Sequence, residues 1–288
     1  MNDNRVPALK SYIEKMPSLP TTVTKIMEIC NDPRTSPADL NRVISLDPVL
    51  MGKVMRLINS AYYGLSQEIT SLVRAIIMLG INTVKNLALS TAILGTLGKK
   101  EDFQALNMDG FWRHSLGVGV TAKLIAKYRK VDPKTLEEYF IAGLLHDIGK
   151  IPLNNRFPQD YVAAMGISDR DNSPLFAAES EMMGLNHAQV GDLILKAWNL
   201  DESIQDVVLH HHKPEGYKGP HKEKLYTVVL ANYFANDFEI GFSGDRYPSP
   251  PHPGICQALK VTMETLEDME DQVKQEIERA SIFLKLAK

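Results

Sequence analysis

The sequence predicts an all-α fold, and three observations carry the prediction. Nearly every segment with a clear period repeats its apolar residues at spacings of three and four, the mark of one buried helical face. Helix-starting devices recur: Ser36-Pro37, Asp47-Pro48, and Asn186 with Gln189 three residues on. No segment alternates apolar and polar residues convincingly enough to read as a strand.

Taken in order, Leu19, Val23, Ile26, Met27 and Cys30 mark the first clear helix. Ser36 caps the next, which buries Leu40, Val43 and Ile44; Asp47 caps another, with Leu50, Val54, Leu57 and Ile58 inward. Two more span Arg74 to Leu79 and Val84 to Leu97, separated by Gly80-Ile81-Asn82. A longer helix runs from Trp112 to Tyr128, and Pro133 opens one that ends near Leu145. Helices at Asn186, at Ser203 to His211 and at Leu225 to Asp237 follow. The Gly- and Pro-rich stretch from Gly241 to Gly254 reads as a connector. The pattern from Leu259 through Leu284 then predicts one amphipathic C-terminal helix.

The chain has 288 residues, 44% of them hydrophobic and 23% charged, which excludes disorder for its bulk. The net charge of −3 argues against a nucleic-acid partner, which a basic excess would accompany. The longest apolar runs, such as Tyr139 to Leu145, are too short to span a bilayer, so no membrane is expected. Cys30 and Cys256 have no metal-site spacing and read as free thiols of a cytoplasmic protein.

The informative segment is Gly143-Leu144-Leu145-His146-Asp147-Ile148-Gly149-Lys150. An unpaired carboxylate at the end of so apolar a helix would cost several kcal/mol, which a metal ion or an ion-pair partner would offset. One reading is a capped helix end, with His146 on a backbone carbonyl and Asp147 paired to Lys150. The other is a metal site. Of eight histidines, His114 precedes this segment, while His187 and the run His210-His211-His212 follow it, all at helix ends or on inner faces. Imidazoles with a carboxylate suit divalent transition ions.

This order resembles the HD phosphohydrolase superfamily, and the whole chain is similar to HDOD proteins, whose HD-related output domain serves bacterial signalling. The likeness also rests on Met16-Pro17-Ser18-Leu19-Pro20, Ile44-Ser45-Leu46-Asp47-Pro48, Leu57-Ile58-Asn59-Ser60-Ala61-Tyr62-Tyr63-Gly64 and Ala75-Ile76-Ile77-Met78-Leu79-Gly80. It implies an N-terminal helical subdomain over 1–100, an HD-like core over 101–240, and a connector with C-terminal helix over 241–288. It implies metal ligands at His114, His146, Asp147, His187, His211 and His212. It also makes Lys150 the candidate catalytic residue, offsetting phosphate charge. The expected ion is Fe, Mn, Zn or Ni. The expected role is regulatory, with a signalling protein as partner. The alternative is a metal-dependent phosphohydrolase or cyclic-dinucleotide phosphodiesterase acting on a phosphate-containing small molecule.

Three departures bear on turnover. Asn232 stands where the last metal-binding Asp of HD enzymes falls, Gly110 where some carry an extra acid, and the Gly-Tyr-Pro signature is absent. With Asp147 as sole carboxylate, one divalent ion leaves a charge of about +1 and two leave about +3, so a single ion, or none, is expected rather than two. His210 is expected to be the exposed member of its run. His221 and His252 read as surface residues, Trp112 and Trp198 as core anchors.

Overall fold

The capping signals act where the sequence places them. Ser36 Oγ accepts from the Asp39 amide and the Asp39 carboxylate accepts from the Ser36 amide, a complete capping box; Asp47 caps the next helix through the Leu50 amide. The protein, here a computed structural model describing residues 5–97 and 105–287, is all-α, with no strand among the described residues. The expected boundary at residue 100 falls outside the described residues.

The N-terminal cluster comprises α1 (Arg5–Glu14), α2 (Thr21–Cys30), α3 (Pro37–Ile44), α4 (Pro48–Ile58), α5 (Leu72–Leu79) and α6 (Ile81–Leu97). A break at Gly80 alone, whose φ of +88° suits glycine, turns α5 into α6 through 115°. Helix α6 is the centre of this cluster. It packs against α2, α4 and α5 and buries Leu87, Leu89, Ile93 and Leu94, each such side chain stabilising by about 1.5–3 kcal/mol.

The middle of the chain holds α7 (Met108–Tyr128), α8 (Leu136–Leu145), α9 (Lys150–Arg156), α10 (Pro158–Asp171), α11 (Leu175–Met183), α12 (His187–Ala197), α13 (Glu202–His210) and α14 (Lys222–Asp237). Helices α7 and α8 touch backbone to backbone. A Cβ on Gly119 would meet the Phe140 carbonyl oxygen at 2.7 Å, and one on Gly143 would meet Gly119 Cα at 2.8 Å. Helix α14 packs across both, and α12 with α13 close the far side. The terminal elements reach across: α1 packs on α9 and α12, and the last helix packs on α4 and α6.

The single C-terminal helix expected from the apolar pattern is instead four pieces: α15 (Pro253–Leu259), α16 (Met263–Asp268), α17 (Glu270–Ala280) and α18 (Ile282–Ala287). Lys260 takes a left-handed conformation that ends α15, and Thr262 caps α16 through the Thr265 amide. Pro253 opens α15, so the connector stops before Pro253 rather than at Gly254. No single helix among the described residues is long and apolar enough to cross a membrane.

Candidate metal centre

Helix ends deliver most of the histidines. His146 is the C-cap of α8, and Asp147 lies in the turn that leads into α9 at Lys150. His187 is the first residue of α12, set by the predicted capping box between Asn186 and Gln189. His211 caps the end of α13 and His212 follows it. His114 projects from within α7, and Asn232 from α14. Gly149 lets the turn dock on α12: a Cβ there would lie 1.9 Å from the His187 carbonyl oxygen.

These side chains converge. Ring centroids are 5.6 Å apart for His114 and His146, 5.2 Å for His146 and His211, and 4.7 Å for His187 and His212. Asp147 sits between them. Its Oδ1 is 3.1 Å from His187 Nε2 and 3.6 Å from His211 Nε2, and its Oδ2 is 3.3 Å from His146 Nε2. His146, Asp147, His187 and His211 are buried, and His212 is half-buried.

Both features of the capped-helix reading are also present. His146 Nδ1–H donates to the Gly143 carbonyl at 2.7 Å, and Lys150 Nζ donates to Asp147 Oδ2 at 2.7 Å. The His146 bond commits Nδ1 and leaves Nε2 as the free nitrogen. His211 repeats the device, with Nδ1–H on the Val208 carbonyl at 2.8 Å. As a result His146 Nε2, His211 Nε2 and Asp147 Oδ1 are buried without a hydrogen-bond partner. Three orphaned acceptors facing one another are costly unless a cation meets them. Two imidazoles and a carboxylate are the donors a divalent transition ion takes. The arrangement therefore fits such an ion in two overlapping groups, Asp147 with His187, His211 and His212, and Asp147 with His114 and His146.

Burial keeps several of these imidazoles neutral, the form a metal needs. Burial, reinforced by the nearby His146, brings His114 down to about 3. Burial brings His211 down to about 4, against the pull of Asp147. His212 is held well below the ordinary range, first by burial and then by His211. For His187 burial acts the same way but is outweighed by Glu179 and Asp147, and its pKa is raised. Burial opposes the charge on Asp147, yet His146, Lys150 and His187 together hold it well below the carboxylate range.

The structure adds two acids. Glu179, on α11, accepts from His187 Nδ1–H at 2.6 Å and from the His187 amide at 2.8 Å, and its other oxygen accepts from Tyr161 at 3.0 Å. Asp245, in the connector, accepts from the Leu175 and Tyr247 amides; burial raises its pKa. Helix α11 carries no strong periodic signal, so Glu179 had no sequence signature beyond being an acid eight residues before His187.

Other expected positions are placed as follows. Gly110 packs under the Phe242 backbone, where a Cβ would meet the carbonyl oxygen at 3.3 Å, so an acid there would displace that loop. His210 is half-buried against the Tyr217 ring rather than exposed, and lies outside the cluster. His221 is likewise half-buried, because its Nδ1 is held by Asp206 at 2.9 Å. His252 is exposed, Trp112 is buried and Trp198 is half-buried against the core. Cys30 and Cys256 are free.

Fold and donors together define an all-α protein with a buried His/Asp centre. The chain matches the HDOD domain over residues 16–214 and belongs to that family. Over 225 residues it is 24% identical to an uncharacterized protein of Treponema pallidum (strain Nichols), covering 78% of this chain and 43% of that protein. The chain thus spans less than half the length of that relative. Among solved structures, an HDOD domain protein of unknown function from Geobacter sulfurreducens superposes with a TM-score of 0.77 at 24% identity, over 97% of this chain and 98% of that one. A Shewanella amazonensis SB2B protein provisionally named a phosphohydrolase gives 0.73 at 22%, over 98% of both chains. A Marinobacter aquaeolei VT8 protein provisionally assigned to signal transduction gives 0.77 at 17%, over 99% of this chain and 65% of that one. At these identities the likeness is one of fold.

Proposed function

We propose that this HDOD protein is a regulatory signalling module that holds one divalent transition ion (Fe, Mn, Zn or Ni) and works by engaging a protein partner rather than by turnover. The observation that carries the reading is Lys150. Its side chain is buried, with the residue 1% exposed, and its ammonium is bonded to Asp147 Oδ2 at 2.7 Å. A phosphate ester would have to break that buried pair to use it, at a cost of several kcal/mol. Asn232 in place of an acid removes a second charge that a hydrolytic centre would use. The ion would be held by His and Asp side chains of the buried cluster and would supply Lewis acidity there. In this reading residues 1–100 and 241–288 flank the core at 101–240, and the protein is cytoplasmic with no nucleic-acid partner.

The second reading, a metal-dependent phosphohydrolase or cyclic-dinucleotide phosphodiesterase, is favoured by the same donor groups, which can hold a Lewis-acidic ion. One experiment separates the two. Tag-free protein is analysed for metal and then assayed on a generic phosphodiester with added Mn or Fe. The regulatory reading expects bound metal and negligible hydrolysis. A rate on the order of 1 per second or faster would establish an enzyme.

A further inference from the structure

The connector enters α15 through Pro248-Ser249-Pro250-Pro251-His252-Pro253, four prolines in six residues. Each proline fixes its own φ near about −65°. Tyr247, Ser249, Pro250 and His252 each precede a proline, which pushes them toward extended backbone. Residues 248–252 accordingly form neither helix nor strand, and His252 has φ −59° and ψ 134°, the values of a polyproline II helix.

Burial along the segment keeps the three-residue period of that helix. Pro248 and Pro251, three apart, are half-buried. Pro250 and Pro253 are exposed, and so are Ser249 and His252. One edge of the segment therefore lies on the protein and two stand in solvent. Prolines that served only to tie down a connector would not need to be on a solvent edge.

Both ends are held. The Tyr247 amide donates to Asp245 Oδ1, and Arg246 pairs with Asp169 at 3.0 Å. At the other end His252 Nδ1 accepts from the Gly254 amide, and Pro253 opens α15. A segment stiff along its length and fixed at both ends has little conformational freedom left to lose on binding.

Two clefts adjoin it and meet at Tyr233 and Pro250, which line both. One, of about 520 Å³, is walled by Val261 and Met263, with Lys260 its one charged residue. The other, of about 570 Å³, carries Asp237 and Glu239. Both acids are exposed and have no ion-pair partner among the described residues, whereas the charge of Arg246 in the same cleft is met by Asp169.

We infer that this proline segment is the docking surface for a protein partner that sets aromatic rings against the exposed edge of Pro250 and Pro253 and a lysine or arginine against Asp237 and Glu239. Aromatic-lined grooves are the faces that take a preformed polyproline II segment. The inference rests on the regulatory reading above and names the surface through which the partner is engaged.

The test cross-links the full chain in its native host in two ways. Benzoylphenylalanine placed at Ser249 reports what lies against the segment; an amine-reactive reagent on the wild-type chain reports a partner on any surface. We expect both to trap the same second protein, with Trp or Tyr in the stretch joined to position 249. With the two proteins purified, Pro250→Ala should weaken binding by about fivefold or more, and so should Asp237→Lys combined with Glu239→Lys, both with the wild-type circular-dichroism spectrum. The two acids lie on the surface, so the charge reversal decides the matter if Pro250→Ala does not fold. Unchanged binding in folded variants overturns the assignment, as does an adduct from position 249 with a second copy of this chain. A partner trapped by the amine reagent but not from position 249 also overturns it, while leaving the regulatory reading intact. A chain that neither method joins to another protein refutes the partner reading itself.

Discussion

Glu179 Oε2 lies 2.6 Å from His187 Nδ1, and both side chains are fully buried. The carboxylate thereby selects the tautomer in which His187 offers Nε2 to the centre, and raises its basicity as a ligand. Such partners behind a ligand are worth about 10–100-fold in metal affinity. Glu179→Gln preserves shape and can still accept from His187 while turning its NH2 toward Tyr161. We expect it to fold and to bind Co(II) about 10–100-fold more weakly. An unchanged affinity would show that the carboxylate charge does not act through His187.

Two glycines should respond in opposite directions. At Gly149 an added methyl meets the His187 carbonyl oxygen at 1.9 Å and the Gly191 amide nitrogen at 2.5 Å, both backbone atoms that cannot step aside. Gly149→Ala should destabilise by about 3 kcal/mol. Gly166 is exposed inside α10, and a methyl added there would have nothing within 4 Å, so Gly166→Ala should stabilise by about 0.5–1 kcal/mol. Urea unfolding of the two variants measures both signs; equal effects would sink the argument from close approach.

Half-buried Lys123 forms an ion pair with buried Glu137 and donates to Tyr62 at 3.0 Å, while Tyr63 donates to Glu137 at 3.0 Å. This network ties the Tyr62-Tyr63 segment to α7 and α8. Lys123→Met leaves the Glu137 carboxylate buried and unpaired, at a cost of about 3–5 kcal/mol. Adding Glu137→Leu removes the orphaned charge and should regain more than half of that loss. Urea titrations of the single and double variants decide; a double variant no more stable than the single would show that packing, not charge, is what Lys123 supplies.

Burial pushes the Cys30 thiol up to about 11, against the pull of Lys85. A raised pKa keeps the group as the unreactive thiol at neutral pH. In a Cys256→Ser background, the iodoacetamide rate should therefore be low at about pH 8 and climb until pH approaches about 11. A rate that levels off near about pH 9 would mean that the thiol is solvated as in a peptide.

The fold class was legible because helical periods and caps are local, and local signals survive without tertiary knowledge. Ser36, Asp47 and Asn186 cap helices as their side-chain chemistry demands. The His/Asp cluster was legible as an order of residues, and the structure brings those residues within one centre. What the order concealed was which atoms remain free. That depends on Gly143, Val208 and Asn236, residues whose types carry no metal signature and which act through a carbonyl or an amide. Glu179 was hidden because its contact with His187 bridges two helices. The first C-terminal break was hidden because Lys260 continues the apolar and polar pattern while its backbone turns left-handed and leaves the helix.

The pairing of Lys150 with Asp147 has a further consequence for the life of the molecule. In a small zinc module the ligands repel one another until metal arrives, and the chain stays unfolded without it. Here the buried carboxylate of Asp147 already has a cation of the chain's own making, attached three residues away. In the metal-holding reading proposed above, folding need not wait for an ion, and a chelator should leave the helices standing. In that reading occupancy would then follow metal supply after the protein is made rather than be a requirement of its folding.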